Sequence, residues 1–368
     1  MYCRVQKFTL LGSMLLMGVV LTAGCSYTGE DTTREKDFAV SKTVKTAIGA
    51  SGSTFVNPIM TKWIGAFQQA HPGVLINYRP IGSGAGLEEL KQGLLEFAAS
   101  DTPLTDAQLK DMAPVIQLPV TAGPVCAVYN VPDVKSPLRF SGATLASIFS
   151  GNIISWQDPA IEHDNPGVKL PKAAIIVVHR SDRSGTTDIL TTYLSKVSPQ
   201  WSEKIGHGLT VPWPVGIGAE GSKGVVDFVK KYSGTIGYGE LNSAAEQNVA
   251  VASIENRGGA FVAPSPAGAT AALEANEDAL EKDPRTSIVD PPASAKNAYP
   301  ITGLSFLLVP KDGHEEEERR EVRAFVEYAL SGGQSMAGEL NYATLPQPLQ
   351  KSGVAALQGL TVNGQAVK

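Results

Sequence analysis

Val74-Leu75-Ile76-Asn77-Tyr78-Arg79-Pro80-Ile81-Gly82-Ser83-Gly84-Ala85-Gly86-Leu87-Glu88-Glu89-Leu90 is the stretch that decides the architecture of this chain. Val74 to Tyr78 has the aliphatic and aromatic composition of a strand, and Ile81 to Gly86 is a loop of small residues. The loop opens a helix carrying Leu87, Leu90, Leu94 and Leu95. The same order recurs upstream, where Thr46-Ala47-Ile48 leads through a tight loop, Gly49 to Ser53, into Pro58 to Ala70 with Ile59, Trp63, Ile64 and Phe67 at helical spacing. Downstream, Phe97-Ala98-Ala99 is a third strand that stops at Ser100-Asp101. Strands alternating with helices predict an α/β layer structure with a mostly parallel sheet.

The pattern resumes after Pro119, with Val125 to Tyr129 and Ile175 to Val178 as short buried strands and Leu145 to Phe149 and Val225 to Tyr232 as helices. Residues 255 to 300, rich in Ala, Pro, Gly and charge, read as helix and loop decoration. The chain then returns to a strand, Leu304 to Val309, a strong helix, Glu315 to Leu330, and a second helix around Ser335 to Glu339. Roughly 320 residues of globular sequence exceed what one hydrophobic core normally serves, so two lobes are expected.

The first 24 residues read as an export signal: Arg4 and Lys7 precede a short apolar run, Leu10 to Leu21, and a small-residue cleavage site. Leu21-Thr22-Ala23-Gly24-Cys25 resembles the lipobox of bacterial lipoproteins, with Thr22 where an aliphatic residue is usual. That resemblance implies cleavage before Cys25 and acylation of its thiol; an ordinary secretory signal is the alternative, and export follows from both. Residues 25 to 45 are polar and aperiodic, the composition of a tether. No later apolar stretch reaches the ~20 residues of a spanning helix, so attachment to a membrane is expected through lipid alone. Cys126, inside the apolar run Pro124 to Tyr129, reads as a buried core residue.

Removing residues 1 to 24 takes away Arg4 and Lys7 and no acidic side chain, which moves the net charge from -5 to -7. An acidic balance argues against nucleic acid as a partner, and any anionic ligand has to be captured by local hydrogen bonds.

Three loops that follow strands set small hydroxyl residues and glycines where helices begin: Ser53-Thr54, Gly82-Ser83-Gly84 and Ser184-Gly185-Thr186. Helix N-termini present unpaired N–H groups and partial positive charge, so three converging would cage an oxyanion. Each alone is also the ordinary chemistry of a helix cap. The third loop carries more: in His179-Arg180-Ser181-Asp182-Arg183-Ser184-Gly185-Thr186-Thr187 a permanently charged planar fork is followed by an aspartate placed to hold it.

Gly52-Ser53-Thr54-Phe55, Ile81-Gly82-Ser83, Ala99-Ser100-Asp101-Thr102-Pro103-Leu104 and Arg180 to Thr186 together resemble the four ligand-contacting segments of the phosphate-binding proteins of bacterial phosphate ABC transporters. Trp213 to Gly218, Gly237-Tyr238, Tyr299-Pro300-Ile301 and Leu340 to Pro346 also match, so the resemblance covers nearly the whole chain after the tether. It implies a periplasmic-binding-protein-like fold of two α/β domains joined by two hinge strands, near Pro119 to Pro124 and Asn297 to Gly303. Lobe 1 would comprise residues 46 to 120 and 303 to 368, and lobe 2 residues 121 to 302. By the same resemblance Thr54, Phe55 through its backbone, Ser83, Asp101, Arg180, Asp182, Ser184, Gly185 and Thr186 would touch one phosphate ion. A monomer delivering it to a membrane permease is implied, with no cofactor. Departures from the family pattern are Ser53 and Val56, where alanine and proline are frequent, and Arg183, which reads as a solvated surface residue.

Asp101 bears on the choice of anion. A carboxylate facing an anion repels it unless the anion carries a proton to donate, which phosphate does near neutral pH and sulfate does not; an unpaired buried acceptor costs about 1–3 kcal/mol. A cap ahead of Thr102-Pro103 is the local alternative for Asp101. Three rival functions remain: a binder of another tetrahedral oxyanion, a secreted serine hydrolase or phosphatase, and a receptor for phosphate sensing or surface adhesion with no transport partner. The second has little support, because neither Ser83 nor Ser184 sits in a G-x-S-x-G elbow and the five histidines form no helical metal pair. Gly216 to Gly221 satisfies the dinucleotide spacing but lacks the strand-loop-helix context expected of it, and reads as a turn.

Overall fold

The computed structural model describes residues 44–134 and 136–367. The export signal, the Cys25 lipid site and nearly all of the tether lie outside the described residues. In order along the chain the strands are β1 (Thr46–Gly52), β2 (Val74–Arg79), β3 (Phe97–Ser100), β4 (Val115–Asn130), β5 (Arg139–Phe140), β6 (Ile176–Arg180), β7 (Ile217–Ala219), β8 (Thr235–Glu240), β9 (Ala250–Val251), β10 (Ser253–Glu255), β11 (Phe261–Val262) and β12 (Thr302–Pro310). One sheet runs β2-β1-β3-β12-β4-β8-β6-β7, with β9 on β4, while β11-β10-β5 forms a small side sheet.

The parallel character holds at both ends of that sheet and fails in its middle. β1 pairs in parallel with β2 and β3, and β6 pairs in parallel with β7 and β8. Between them β12 runs antiparallel to β3 and β4, and β4 antiparallel to β8. β4 spans both halves: Val115 to Pro124 lies along β12, and Val125 to Asn130 lies along β8. The sequence reading of Val125 to Tyr129 as a short strand is therefore corrected to the second half of a 16-residue one. Its apolar run continues without a turn residue that breaks pairing, and Pro119 and Pro124 are tolerated within it.

The stretch Gly49 to Ser53, expected as a loop, is strand through Gly52, because Ala50, Ser51 and Gly52 pair with Phe97, Ala98 and Ala99. Gly52 has a φ of +136°, and a Cβ there would lie 2.0 Å from the Ala99 carbonyl oxygen, so a side chain is excluded. The first helix spans Asn57–Ala70 and buries Ile59, Met60, Trp63 and Phe67 against the sheet. The helix after β2 is Ser83–Lys91, shorter than its leucine pattern implied: Leu95 is buried beyond its end and Leu94 is exposed. The expected helix around Ser335 to Glu339 is two 3₁₀ turns, Gly332–Met336 and Gly338–Leu340, in a glycine-rich segment. A further helix, Gln347–Ala356, went unread in the sequence.

The central strands β3, β12, β4 and β8 are buried on both faces, whereas the edge strands β2 and β7 are partly exposed. Cys126 is a free, fully buried thiol in a small cluster with Val128, Val178, Val225, Val229 and Ala244. Among the described residues no helix is long and apolar enough to cross a membrane.

Candidate functional site

The carboxyl ends of β1, β2 and β3 deliver Ser53-Thr54, Gly82-Ser83 and Asp101 to one place. β1 is the central strand of the three, so its terminal loop lies between the other two. Asp101 is 5% exposed, and four hydroxyl contacts surround its carboxylate. Ser53 Oγ lies 2.7 Å from both Oδ1 and Oδ2, Ser305 Oγ donates to Oδ1 at 2.7 Å, and Ser83 Oγ reaches Oδ2 at 3.5 Å. Ser305 arrives from β12, whose register sets Phe306 opposite Ser100; a shift between Ser305 and Phe306 marks a bulge at this point. Burial pushes the Asp101 carboxyl up to about 6, against the lowering effect of the Ser53 and Ser305 hydroxyls, the Arg180 charge and Ser83.

The second group stands at the carboxyl end of β6. Arg180 is 3% exposed, and its guanidinium grips Asp182 with two parallel hydrogen bonds, Nε to Oδ1 at 2.7 Å and Nη2 to Oδ2. Its Nη1 donates to Ser222 Oγ at 3.1 Å, and its backbone N–H to the Tyr238 hydroxyl at 3.0 Å. Burial opposes charge on Asp182, but the Arg180 hydrogen bonds and charge, with the Gly221 N–H at 3.1 Å, outweigh it and hold that carboxyl below its usual range. His179 points away from this group and stacks on Trp213, ring centroids 4.9 Å apart.

Ser184 caps the helix Gly185–Val197 by accepting from Thr187 N at 3.2 Å. Behind it the Gly185 N–H donates to Ser83 Oγ at 3.3 Å, so the first turn of this helix meets the β2 loop directly. A Cβ on Gly185 would lie 2.6 Å from the Asp101 Cβ, which makes glycine the residue that permits this approach. The hydroxyl of Thr186 is buried, and Oγ1 has no hydrogen-bond partner among the described residues.

The two groups face each other closely. Gly84 N donates to the Arg183 carbonyl at 3.0 Å, Thr102 Oγ1 donates to Asp188 Oδ2 at 2.8 Å, and Thr54 Oγ1 stands 3.0 Å from Ser222 Oγ. Arg183 itself pairs with Glu88 at 3.0 Å on the surface, each about half exposed. The arrangement offers neutral O–H and N–H donors, one guanidinium and one ringed carboxylate, a set suited to a tetrahedral oxyanion with one proton.

Comparison with known proteins accords with this geometry. Residues 29–332 match the family described as PBP superfamily domain. The phosphate-binding protein PstS of Xylella fastidiosa is 38% identical over 311 residues, 84% of this chain and 84% of that protein. The chain belongs to the PstS family of phosphate-binding proteins. PstS of Methanocaldococcus jannaschii is 36% identical over 373 residues, 95% of this chain and 94% of its own length. Among solved structures, a high affinity periplasmic phosphate-binding protein bound with phosphate superposes with a TM-score of 0.69 at 19% identity, covering 86% of this chain and 99% of that one. The fold is thus the two-lobed α/β binding-protein fold that the sequence resemblance implied.

All nine candidate residues lie in this cleft region, but not all face it with a free group. The Phe55 N–H donates to Ser53 Oγ at 3.0 Å, because Ser53, where the family frequently has alanine, supplies a local acceptor. Two residues were missed as site components, Ser305 and Ser222, while Ser53, named with Thr54 in the first loop, was not read as a partner of Asp101. Ser53 was visible as a departure beside Thr54. Ser305 follows only from strand register. Ser222 directly follows the stretch Gly216 to Gly221 read as a turn, where the chain instead forms strand β7 and begins the helix Gly221–Lys231.

Proposed function

We propose that this chain binds inorganic phosphate by closing two lobes around one dehydrated ion and presents it to the permease of a phosphate ABC importer. The observation that carries the reading is Asp101: a buried carboxylate, ringed by hydroxyls, among donors and a guanidinium, the other carboxylate, Asp182, being taken up by Arg180. Thr54, Ser83, Ser184 and Thr186 donate to phosphate oxygens, and the N–H groups of Phe55 and Gly185 join them by exchanging the Ser53 and Ser83 hydroxyls they meet for the ion; Arg180 supplies positive charge while Asp182 fixes its plane, and Asp101 accepts the phosphate proton. Family membership and the named function of the PstS relatives support the same ligand.

Lobe 1, residues 46 to 120 and 303 to 368, carries Thr54, Ser83 and Asp101; lobe 2, residues 121 to 302, carries Arg180 to Thr186. β4 and the segment entering β12 are the hinge, and phosphate selects closure because only the closed form satisfies all its oxygens. The protein acts outside the cytoplasm as a monomer held to the membrane by acylated Cys25, and it turns nothing over. Calorimetric titration of the protein lacking residues 1–25 with phosphate and then sulfate tests the central claim. Tight phosphate binding with sulfate excluded is expected; heat from sulfate comparable to that from phosphate overturns it. A chromogenic phosphate ester left intact by the same preparation is expected, and its hydrolysis would contradict the non-enzymatic reading.

A further inference from the structure

The stretch Gly216 to Lys223 makes a contact that the phosphate reading leaves unexplained. Ile217–Ala219 is the edge strand β7, and the chain turns directly into the helix Gly221–Lys231. The first two N–H groups of that helix both have partners in the cleft: Gly221 N donates to Asp182 Oδ1 at 3.1 Å, and Ser222 N donates to Thr54 Oγ1 at 3.3 Å. The Ser222 hydroxyl is 1% exposed as a residue and stands between two groups of the proposed anion site, 3.1 Å from Arg180 Nη1 and 3.0 Å from Thr54 Oγ1. Thr54 follows β1 and Arg180 ends β6, so this one side chain joins elements from opposite ends of the sheet.

We infer that Ser222 is a positioning residue of the anion site: it latches Thr54 across the cleft and, with the ion bound, sets the Thr54 hydroxyl as a donor to it. The argument is a count of protons and lone pairs. A threonine hydroxyl has one hydrogen and two acceptor positions. Ser222 N–H fills one acceptor position on Thr54 Oγ1. Arg180 Nη1–H donates to Ser222 Oγ, and the single Ser222 hydrogen has two acceptors within reach, Thr54 Oγ1 and the buried Glu240 carboxyl. When it turns to Thr54, both acceptor positions there are filled and the Thr54 hydrogen points outward. An oxyanion, whose deprotonated oxygens only accept, selects this arrangement over the reverse one in which Thr54 donates to Ser222. The chain from Arg180 through Ser222 to Thr54 is polarised by its charged end, which strengthens the last donor. Thr54 and Ser222 also line a cavity of about 510 Å³, so losing their contact leaves Thr54 open to it.

The inference rests on the phosphate reading above, and the test separates the two. Phosphate association and dissociation rates are measured by stopped flow for the wild type, Ser222→Ala, Ser222→Thr, Thr54→Val and the double variant. Ser222→Ala is expected to dissociate phosphate about 10-fold faster with association changed less than about 2-fold, since a latch formed after encounter acts on release. Ser222→Thr keeps the hydroxyl and should stay within about 3-fold of wild type. In the Thr54→Val background Ser222→Ala should add little, because residues acting through one another are non-additive. Dissociation of Ser222→Ala within about 2-fold of wild type, or full additivity with Thr54→Val, overturns the latch. Should Ser222→Ala fail to fold, a Ser222→Thr loss of 10-fold or more overturns it equally, and wild-type behaviour of that variant supports it. A wild-type protein that binds no phosphate overturns the functional reading instead.

Discussion

Asp101 and Asp182 are carboxylates of one cleft, and their surroundings push them in opposite directions. Asp182 lies against the Arg180 guanidinium and is held below its usual range, whereas Asp101 has only hydroxyl partners within hydrogen-bond distance and rises to about 6. The difference shows what a donor cage can and cannot do. Neutral hydroxyls satisfy a buried carboxylate's lone pairs without cancelling its charge, so burial wins at Asp101; a bidentate cation cancels charge, so it loses at Asp182. The same contrast divides the roles. Asp182 is consumed by Arg180 and orients it, while Asp101 keeps acceptor capacity that a protonated ligand can use.

Removing the cation breaks the comparison most severely. Arg180→Ala leaves Asp182 half-buried without its partner, and loss of one member of such a pair costs about 3–5 kcal/mol. Binding of every oxyanion, sulfate as well as phosphate, should fall by two orders of magnitude or more in calorimetry, with a lowered Tm. Retained phosphate affinity in this variant would show that the neutral donors hold the ion unaided.

pH separates the two carboxylates next. Asp101 has a folded value near 6 against an unfolded value near 3.9, so the stability it contributes is present below about pH 4 and is lost as pH rises through 6. Asp182, held low, does the reverse: its contribution is present above the unfolded value and is lost as pH falls through its folded value. Denaturation of the phosphate-free protein between pH 4 and 7 should show a decline from which Asp101→Asn removes about 2–3 kcal/mol, leaving the part due to the buried Glu240 and to Glu318 and His207, whose folded values are also raised. An unchanged decline in that variant would place the titrating group elsewhere.

The same variant sharpens selectivity. Asp101→Asn exchanges an acceptor-only group for an amide that can donate, so the penalty against an unprotonated anion disappears. Sulfate affinity should rise relative to phosphate by a factor corresponding to about 1–3 kcal/mol, roughly 5- to 150-fold, in competition titrations. Sulfate exclusion that survives the change would reassign the role of Asp101.

How far the site could be read from sequence follows the same divide between local and distant partners. Arg180 and Asp182 are two residues apart on one strand end, and their pairing was legible as a charge and its holder. The α/β alternation was legible for the same reason, since each strand, loop and helix is a local pattern. The antiparallel centre of the sheet was not, because β4 and β12 are buried strands whose run of apolar residues carries no mark of direction. Asp101's partners share that difficulty: Ser305 is 204 residues away and reaches it through β12 register, and Ser222 meets Thr54 from 168 residues away.

Ser53 lies between these extremes, named with Thr54 in its loop but not as a partner of Asp101, and it carries the smallest predicted effect. Its single hydrogen is shared between both oxygens of Asp101, while its oxygen accepts from the N–H groups of Phe55 and Val56 at 3.0 and 3.3 Å. Ser53→Ala removes a donor that favours the charged form of Asp101, leaving Ser305 and Ser83. One such hydrogen bond is worth about 1 kcal/mol, so the Asp101 midpoint should rise by somewhat under one unit. Tyr78 and Tyr342 also face this carboxyl but stay neutral here, burial holding both hydroxyls well above their usual value. Among the described residues the one cation acting on it is Arg180, which the substitution leaves in place. The stability decline of the phosphate-free protein should therefore extend to higher pH by the same increment, read from denaturation midpoints taken every half unit between pH 4 and 8. A midpoint that stays at its wild-type position would mean that Ser53 serves the Phe55 turn and leaves the charge of Asp101 to the other hydroxyls.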